Sequence, residues 1–179
     1  MQGIPLNERK RLGALLDDRP QAEVMAMIPQ FSQAETDNFV APPAQIPEAL
    51  GVLMFNMERG VNLPEIQEFL RDCPDIQPFD VILANELDDG CARSGNKNTA
   101  RELAQAFGLN YAWGLEFIEL VNDENAKGFH GNAVFSRWPI RRAGVIRLPE
   151  QYNWYFDRQK RIGGRLAVFA ELDVGGQPV

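Results

Sequence analysis

The sequence lacks long apolar runs, internal repeats and all but two cysteines, and each absence excludes a class of protein. Cys73 and Cys91 do not have metal-site spacing and do not establish a disulfide, so we expect reduced thiols. No apolar run approaches the roughly 20 residues that cross a bilayer, and no apolar signal core follows the polar N-terminus. The missing repeats exclude a solenoid. A cytoplasmic protein is the default expectation.

What is present is an ordinary globular composition with an acidic balance. The chain has 179 residues, is 45% hydrophobic and carries a formal net charge of −7. This length permits one domain with a real core. Long nucleic acid requires a basic face, so the acidity favours a smaller anionic substrate without excluding nucleic acid. The cations concentrated between residues 137 and 165 are typical of a solvated surface or of a segregated basic face: Arg137, Arg141, Arg142, Arg147, Arg158, Lys160, Arg161 and Arg165.

The first 49 residues differ from the rest of the chain. Leu12, Leu15 and Leu16 fit one face of a short helix, and Pro20 can open a second helix. Prolines between residues 39 and 47 then predict an extended connector. We therefore predict a helical extension over residues 1–49 and an α/β unit over residues 50–179.

Two strand-like runs are each followed by a side chain with an oxygen ligand. Residues 51–55 lead into Asn56, and residues 80–85 lead into Glu86. In open α/β sheets, ligands bind beyond the carboxyl ends of strands. An amide oxygen and a carboxylate suit a hard cation such as Mg²⁺ or Mn²⁺. The alternative is that each residue merely begins a turn.

A helix is predicted between the two strands, over residues 62–72, with Pro64 in its first turn. Strand, helix and strand together form a crossover unit. If the strands are parallel, Asn56 and Glu86 reach the same edge of the sheet and can share one cation.

The segment after Glu86 leads into a helix predicted over residues 99–107, where Thr99 and Glu102 have capping-box spacing. A loop before a helix N-terminus can bind phosphate through side-chain donors and free N–H groups. The alternative is a cap loop with solvated basic residues. Asp88 and Asp89 could assist a second metal ion, although exposed turn acids are the favoured interpretation. The candidate substrate-binding residues of this loop are Arg93, Ser94, Asn96 and Lys97.

Four further positions are candidates later in the chain. A strand over residues 110–120 is predicted to bury one face, and Glu116 is its better site candidate. His130 is the only histidine and is a possible general base. Asn132 and Arg165 could contact substrate, or could instead be a turn amide and an ion-pair partner.

An aromatic cluster followed by cations precedes the last strand. It could stack on a base or a lipid, or it could pin a long loop to the body. Its members are Tyr152, Trp154, Tyr155 and Phe156, followed by Arg158, Lys160 and Arg161.

Four stretches of the chain resemble the endonuclease/exonuclease/phosphatase superfamily of metal-dependent phosphoesterases, which has the deoxyribonuclease I-like fold. Residues 52–57 look like its first core strand ending in Asn, and residues 79–86 look like its second ending in Glu. Residues 131–140 are similar to its pattern G-x-A-[VI]-[LF]-S-[RK]-x-P-[IL], and residues 164–172 resemble the following strand. The chain departs from the family at Asn85, where the family usually has Gln. Asn keeps the amide group but has a shorter side chain, so it reaches less far to support the neighbouring Glu86.

The resemblance implies the N-terminal part of a two-sheet α/β sandwich, preceded by a short helical extension. It implies that Asn56 and Glu86 help to place Mg²⁺ or Mn²⁺ on the scissile phosphate. The family's G-D-x-N segment, water-activating Asp and histidines would follow residue 179, so the resemblance assigns no family role to His130. The chain also ends within a predicted hairpin. We therefore expect an N-terminal portion with an uncovered apolar surface and no turnover by itself.

The expected function of the complete protein is divalent-metal-dependent hydrolysis of a phosphoester bond, as a phosphodiesterase, nuclease or phosphatase. The substrate would be nucleic acid, a lipid or inositol phosphate, or another small phosphoester. The alternative is a noncatalytic or degenerate member that acts as a binding module.

Overall fold

The computed structural model describes residues 1–150, 153–157 and 159–179. Its helices are α1 (Leu6–Ala14), α2 (Gln21–Ala26), α3 (Leu63–Asp72), α4 (Thr99–Phe107) and α5 (Trp154–Asp157). Its strands are β1 (Ala34–Asp37), β2 (Val52–Arg59), β3 (Val81–Asp89), β4 (Asn110–Glu119), β5 (Phe129–Ser136), β6 (Ile140–Arg147), β7 (Arg161–Gly163), β8 (Leu166–Val174) and β9 (Gln177–Pro178).

The strands form two sheets. The large sheet has the order β1-β4-β5-β3-β2, and β7 pairs with the far end of β4. The small sheet has the order β6-β8-β9. Strands β2 and β3 are parallel, as the α3 crossover requires, and the other pairs are antiparallel. The predicted two-sheet α/β architecture is confirmed.

Local signals place the helices that flank β3. Helix α3 begins after Asn62 with a proline in its first turn, as predicted. Helix α4 has the predicted bounds, but its N-cap is Asn98, whose side chain accepts a hydrogen bond of 2.8 Å from the Arg101 amide. The predicted capping box is therefore wrong. Thr99 is already inside the helix, and its hydroxyl donates to the Asp88 carbonyl.

Strand β4 lies at the centre of the molecule, and all ten of its residues are buried. Trp113 and Leu115 pack into the core beneath the helices, whereas Ala112 packs into the core between the sheets. The prediction that β4 buries only one face is wrong, because the small sheet covers the other. At Gly114 the sheets approach so closely that an added Cβ would lie 2.6 Å from a methyl group of Val145.

The N-terminal segment packs onto the same large sheet. Leu12, Val24 and Phe31 belong to the core beneath the helices. Residues 34–37 form β1, which was not predicted and which pairs with β4. Arg9 donates to the Asn125 carbonyl at 2.6 Å. The domain boundary proposed after residue 49 stays a prediction.

Part of the large sheet lacks cover from the small sheet. Val52, Met54 and Leu83 are 58%, 71% and 40% exposed. Met54 is registered with Leu83, so the two side chains lie next to each other. The predicted uncovered apolar surface is therefore present on the inner face of the large sheet.

The described residues contain no helix that is long and apolar enough to cross a membrane. Cys73 and Cys91 are free thiols, and Cys91 is buried.

Candidate metal and phosphate site

The two predicted metal ligands lie where the parallel strands β2 and β3 end. Asn56 is registered with Asn85, the residue immediately before Glu86. Both pairings of β3 shift their register around Glu86. Such bulges commonly re-aim a side chain beside an active site. The predicted parallel crossover is confirmed, and it brings Asn56 and Glu86 to one edge of the sheet.

The backbone of Glu86 has an unusual conformation that a neighbouring strand supports. Its φ of 59° lies in the left-handed region, which costs a residue other than glycine roughly 1–3 kcal/mol. Asn132, on β5, accepts a hydrogen bond of 3.1 Å from the Glu86 amide. The same side chain donates to the Leu166 carbonyl at 3.4 Å, so it joins the edge of the large sheet to the small one. Residues in sparsely populated conformations cluster at functional sites.

The donors at this edge fit a magnesium-type ion. Asn56 is exposed and Glu86 is half-buried. Within the described ranges no residue hydrogen-bonds or pairs with the Glu86 carboxylate, and no cluster of three or more His, Cys, Asp and Glu could hold a metal. Mg²⁺ is commonly held by one or two carboxylates, with water and substrate phosphates as further ligands. Glu86 fits such a partly hydrated ion. Asn56 fits it through the Oδ1 lone pair that is left, because Oδ1 already accepts a hydrogen bond of 2.9 Å from the Glu58 amide.

Arg93 and Ser94 in the predicted phosphate loop face an internal carboxylate. Two guanidinium nitrogens of Arg93 donate to Asp88 at 2.7 and 2.9 Å, and the Ser94 hydroxyl donates at 3.2 Å. Asp88 and Asp89 are 0% and 3% exposed because β3 continues through them. The interpretation of both residues as exposed turn acids is therefore wrong.

Both acids are neutralised by neighbouring cations. Burial raises the pKa of Asp88, but the hydrogen bonds and charges of Arg93 and His130 lower it more, so the pKa lies below its ordinary value of 3.8. Lys127 pairs with Asp89 at 2.7 Å. These partners favour a structural role for the two acids over a second metal site.

The remaining loop candidates also make contacts within the protein. Asn96 donates to the Glu124 carbonyl at 3.1 Å and accepts from the Ala126 amide at 2.9 Å. Lys97 is exposed and lies 3.2 Å from Glu102. Contact of this loop with substrate stays a prediction.

Arg165 pairs with the acid singled out on β4. Its Nη1 donates at 2.9 Å to Glu116, which is 1% exposed, while the side chain of Arg165 is 55% exposed. The nearby Arg147 donates to the backbone carbonyls of Phe31, Leu115 and Glu116, and burial lowers its pKa to about 10. Arg147 is therefore a structural cation, whereas Arg165 keeps much of its surface open to solvent.

The aromatic cluster holds a buried cation. Arg161 is 3% exposed, and its guanidinium carbon lies 3.6 Å from the Trp154 ring centroid and 4.1 Å from that of Phe117. Burial lowers the pKa of Arg161 to about 10. This stack favours the loop-pinning interpretation for Trp154, and Arg161 is not part of a solvated basic surface. Tyr152 and Arg158 lie outside the described residues.

His130 is buried and makes contacts that its neighbours in the sequence do not predict. This side chain is 3% exposed, and its Nδ1 lies 2.7 Å from an Asp88 oxygen. Its ring stacks on Phe117 with the centroids 4.4 Å apart. No local pattern shows these contacts, because 42 residues separate His130 from Asp88.

A comparison with solved structures identifies the class of fold. The chain is similar to the crystal structure of an endonuclease/exonuclease/phosphatase from Beutenbergia cavernae DSM 12333, with a TM-score of 0.50 and 21% sequence identity. The alignment covers 71% of this chain and 35% of that one, so this chain spans about a third of the other's length. No protein-family model and no curated protein matches the sequence. The chain therefore has an endonuclease/exonuclease/phosphatase fold of the deoxyribonuclease I-like type.

Proposed function

We propose that the chain is the N-terminal portion of an endonuclease/exonuclease/phosphatase protein that hydrolyses a phosphoester bond with Mg²⁺ or Mn²⁺. The observation that carries this proposal is the strand edge at Glu86. There a strained backbone, two register shifts and the Asn132 hydrogen bond combine to present, near Asn56, a carboxylate that has no partner among the described residues.

Each residue has a distinct role in the proposed site. Glu86 and Asn56 supply the oxygen ligands, and Asn132 fixes the backbone that presents Glu86. A bound divalent ion would act as a Lewis acid on the phosphoryl oxygen and offset the charge that develops on the leaving oxygen. Arg165, near the other side of Asn132, is available to contact a negatively charged substrate.

The acidic balance supports a small phosphoester over long nucleic acid. The net charge of −7 opposes the broad electrostatic attraction on which nonspecific nucleases depend. Two of the cations between residues 137 and 165, Arg147 and Arg161, also make their contacts within the protein. Within phosphoesters, a lipid or inositol phosphate or another small phosphodiester or phosphomonoester is the substrate class that we propose.

Hydrolysis by the protein from the complete open reading frame tests the proposal. Bis-(p-nitrophenyl) phosphate, p-nitrophenyl phosphate and plasmid DNA are incubated with Mg²⁺, with Mn²⁺ or with EDTA. The test variant is Glu86→Gln, and the matched control is Glu58→Gln, which removes an exposed carboxylate that also has a positive φ two residues beyond Asn56.

We expect cleavage that requires the metal, is lost in Glu86→Gln and is retained in Glu58→Gln. Equal loss in the two variants would remove Glu86 from the proposed site. A folded protein that binds phosphoesters but cleaves none of the three substrates would support the binding-module alternative.

A further inference from the structure

A cavity of about 370 Å³ lies between the N-terminal segment and the ends of β6 and β8. Small-molecule pockets in proteins commonly have volumes of roughly 300–1,000 Å³, so this cavity is large enough for a ligand group. Its lining residues fall in the ranges 21–32, 147–150 and 163–165. The cavity therefore forms only where the N-terminal segment meets the small sheet.

The surface of this cavity is mainly apolar. Met25, Ile28 and Phe31 line it from the N-terminal segment, and Leu148, which is 47% exposed, lines it from the end of β6. The guanidinium carbon of Arg147 lies 4.7 Å from the Phe31 ring centroid and holds this wall in place. A methionine in the wall can adapt its shape to an apolar ligand.

Two uncharged polar side chains in the lining are already used within the protein. Gln21 donates to the Arg161 carbonyl at 3.2 Å and accepts from the Gly163 amide at 3.0 Å. The Ser32 hydroxyl donates to the Pro29 carbonyl at 2.9 Å. Neither side chain needs a polar ligand to complete its hydrogen bonds.

The charged side chains that line the cavity are matched by acids. Arg147 donates to the Phe31 carbonyl at 2.7 Å, and Arg165 donates to Glu116 at 2.9 Å. Glu150 is the acid of the lining itself. Two cations and two acids leave no net charge for a ligand to neutralise. Since burying an unmatched charge is costly, the cavity suits an uncharged apolar group.

The cavity lies in line with Glu86 across the large sheet. Asn132 accepts from the Glu86 amide and is registered with Gly114 on β4. Gly114 is in turn registered with Ala34, the first residue of β1. Three strand spacings separate β3 from β1 in this row, which is a distance of about 14 Å. Ser32, in the cavity lining, lies two residues before Ala34.

Arg165 lies between the two places. It lines the cavity, and the carbonyl of the next residue, Leu166, accepts from Asn132 at 3.4 Å. The side chain of Arg165 is 55% exposed. An exposed cation between an ion site and an apolar cavity suits a molecule with a phosphate at one end and an apolar chain at the other.

We propose that the cavity binds an apolar chain of the substrate, so that the substrate is an amphiphilic phosphoester whose phosphate lies at the Asn56–Glu86 edge. This inference rests on the proposed function, because the chain and the phosphate belong to one substrate. It narrows the substrate class to phosphoesters whose alcohol carries an alkyl chain that can bridge about 14 Å.

Methionine methyl signals can observe this contact by nuclear magnetic resonance. Met25 lines the cavity, whereas Met54 is 71% exposed on the uncovered face of β2. The 179-residue chain is labelled with ¹³C in its methionine methyl groups and titrated with decyl phosphate below its micelle concentration. Methyl phosphate is the control titrant, because it has the phosphate without the chain. Met54 reports nonspecific adsorption of the chain to apolar surface.

Gly164 offers a variant that places a side chain at the cavity wall. A Cβ at Gly164 would meet nothing within 4 Å, so Gly164→Leu adds an apolar side chain without a clash at its Cβ. Gly144→Leu is the matched control. A Cβ at Gly144 also meets nothing within 4 Å, but Gly144 lies on β6 and is not part of the cavity lining. Circular dichroism checks the fold of both variants.

We expect decyl phosphate to shift the Met25 signal saturably and methyl phosphate to leave it unchanged. Gly164→Leu should weaken the apparent affinity by about tenfold or more, and Gly144→Leu should retain it. In the complete protein, KM for p-nitrophenyl decyl phosphate should be about tenfold or more below KM for p-nitrophenyl methyl phosphate. A Met54 shift as large as that of Met25, or equal KM values for the two esters, would overturn the inference.

The two proposals can fail separately. If Glu86→Gln retains metal-dependent cleavage while the decyl ester keeps its lower KM, the metal assignment is wrong and the chain-binding cavity stands. If Glu86→Gln loses cleavage but the wild type shows the same KM for both esters, the metal site stands and the cavity inference is wrong.

Discussion

Replacing Asp88 with asparagine should destabilise the protein strongly, because three side chains donate hydrogen bonds to this one buried carboxylate. It accepts hydrogen bonds from Arg93, Ser94 and His130 at 2.7–3.2 Å and is 0% exposed. An asparagine has one acceptor oxygen, and its NH₂ group would face donors. Removing one partner of a buried ion pair costs about 3–5 kcal/mol. Since the Arg93 side chain is 24% exposed and can regain water, we expect a loss of about 3 kcal/mol.

Urea denaturation followed by circular dichroism measures this free energy of unfolding. A change of about 3 kcal/mol corresponds to roughly 6–12 °C in Tm for a chain of this size. Glu8→Gln is the matched control, because it removes a carboxylate that pairs with Arg11 on the surface, and it should leave the midpoint unchanged. A loss below about 1 kcal/mol in Asp88→Asn would refute the claim that the carboxylate organises this network.

The hydrogen bonds to Asp88 also make the free energy of unfolding depend on pH. The pKa of Asp88 in the folded protein lies below the unfolded value near 3.8, so its contribution is complete above that value. The contribution is lost as the pH falls through the lower, folded pKa. Unfolding free energies measured from pH 6 down to pH 2 should therefore fall less steeply for Asp88→Asn than for the wild type below pH 4. Parallel curves for the two proteins would contradict this assignment.

The remaining predictions concern packing and site geometry. Met57→Gln should lower the free energy of unfolding by about 1–3 kcal/mol, because Met57 is 0% exposed and the new amide would be buried. Met54→Gln, on the opposite, uncovered face of β2, should leave the free energy of unfolding unchanged and reduce aggregation measured by light scattering. Gly131→Ala should unfold the protein at lower urea, since its Cβ would lie 2.0 Å from a backbone oxygen of β4, but Gly144→Ala meets nothing within 4 Å and should be tolerated. Equal effects within either pair would contradict the packing described. Asn132→Ala should weaken Mn²⁺ binding by about 10- to 100-fold in calorimetry, because it frees the Glu86 backbone, and unchanged affinity would remove that support.

The sequence predicted most of what is local and little of what is distant. Proline and asparagine at the start of α3 and the apolar runs of β2 and β3 are signals within a few residues, and their elements were found. Strand β1 was missed because its four residues are not alternately apolar, and its pairing with β4 is long-range.

The candidate site, like the fold, has one part that local sequence signals predict and one part that depends on contacts between distant segments. The edge carrying Asn56 and Glu86 could be predicted from strand endings and a crossover. The burial of Asp88 and the fixed ring of His130 could not, because they depend on pairs of strands and on a stack whose members come from four separate segments. Arg93 and Ser94 look like phosphate ligands in the sequence because β3 was predicted to end at Glu86. The carboxylate that they bind is that of Asp88, which lies in the continuation of β3 beyond that residue.

Manganese binding by the 179-residue chain tests the central claim most directly. Paramagnetic Mn²⁺ broadens amide signals close to the bound ion, and it detects weak binding by a site with two protein ligands. We predict selective broadening at Asn56, Asn85 and Glu86 that disappears in Glu86→Gln and persists in Glu58→Gln. Broadening centred on other acids, or unchanged broadening in Glu86→Gln, would contradict the account.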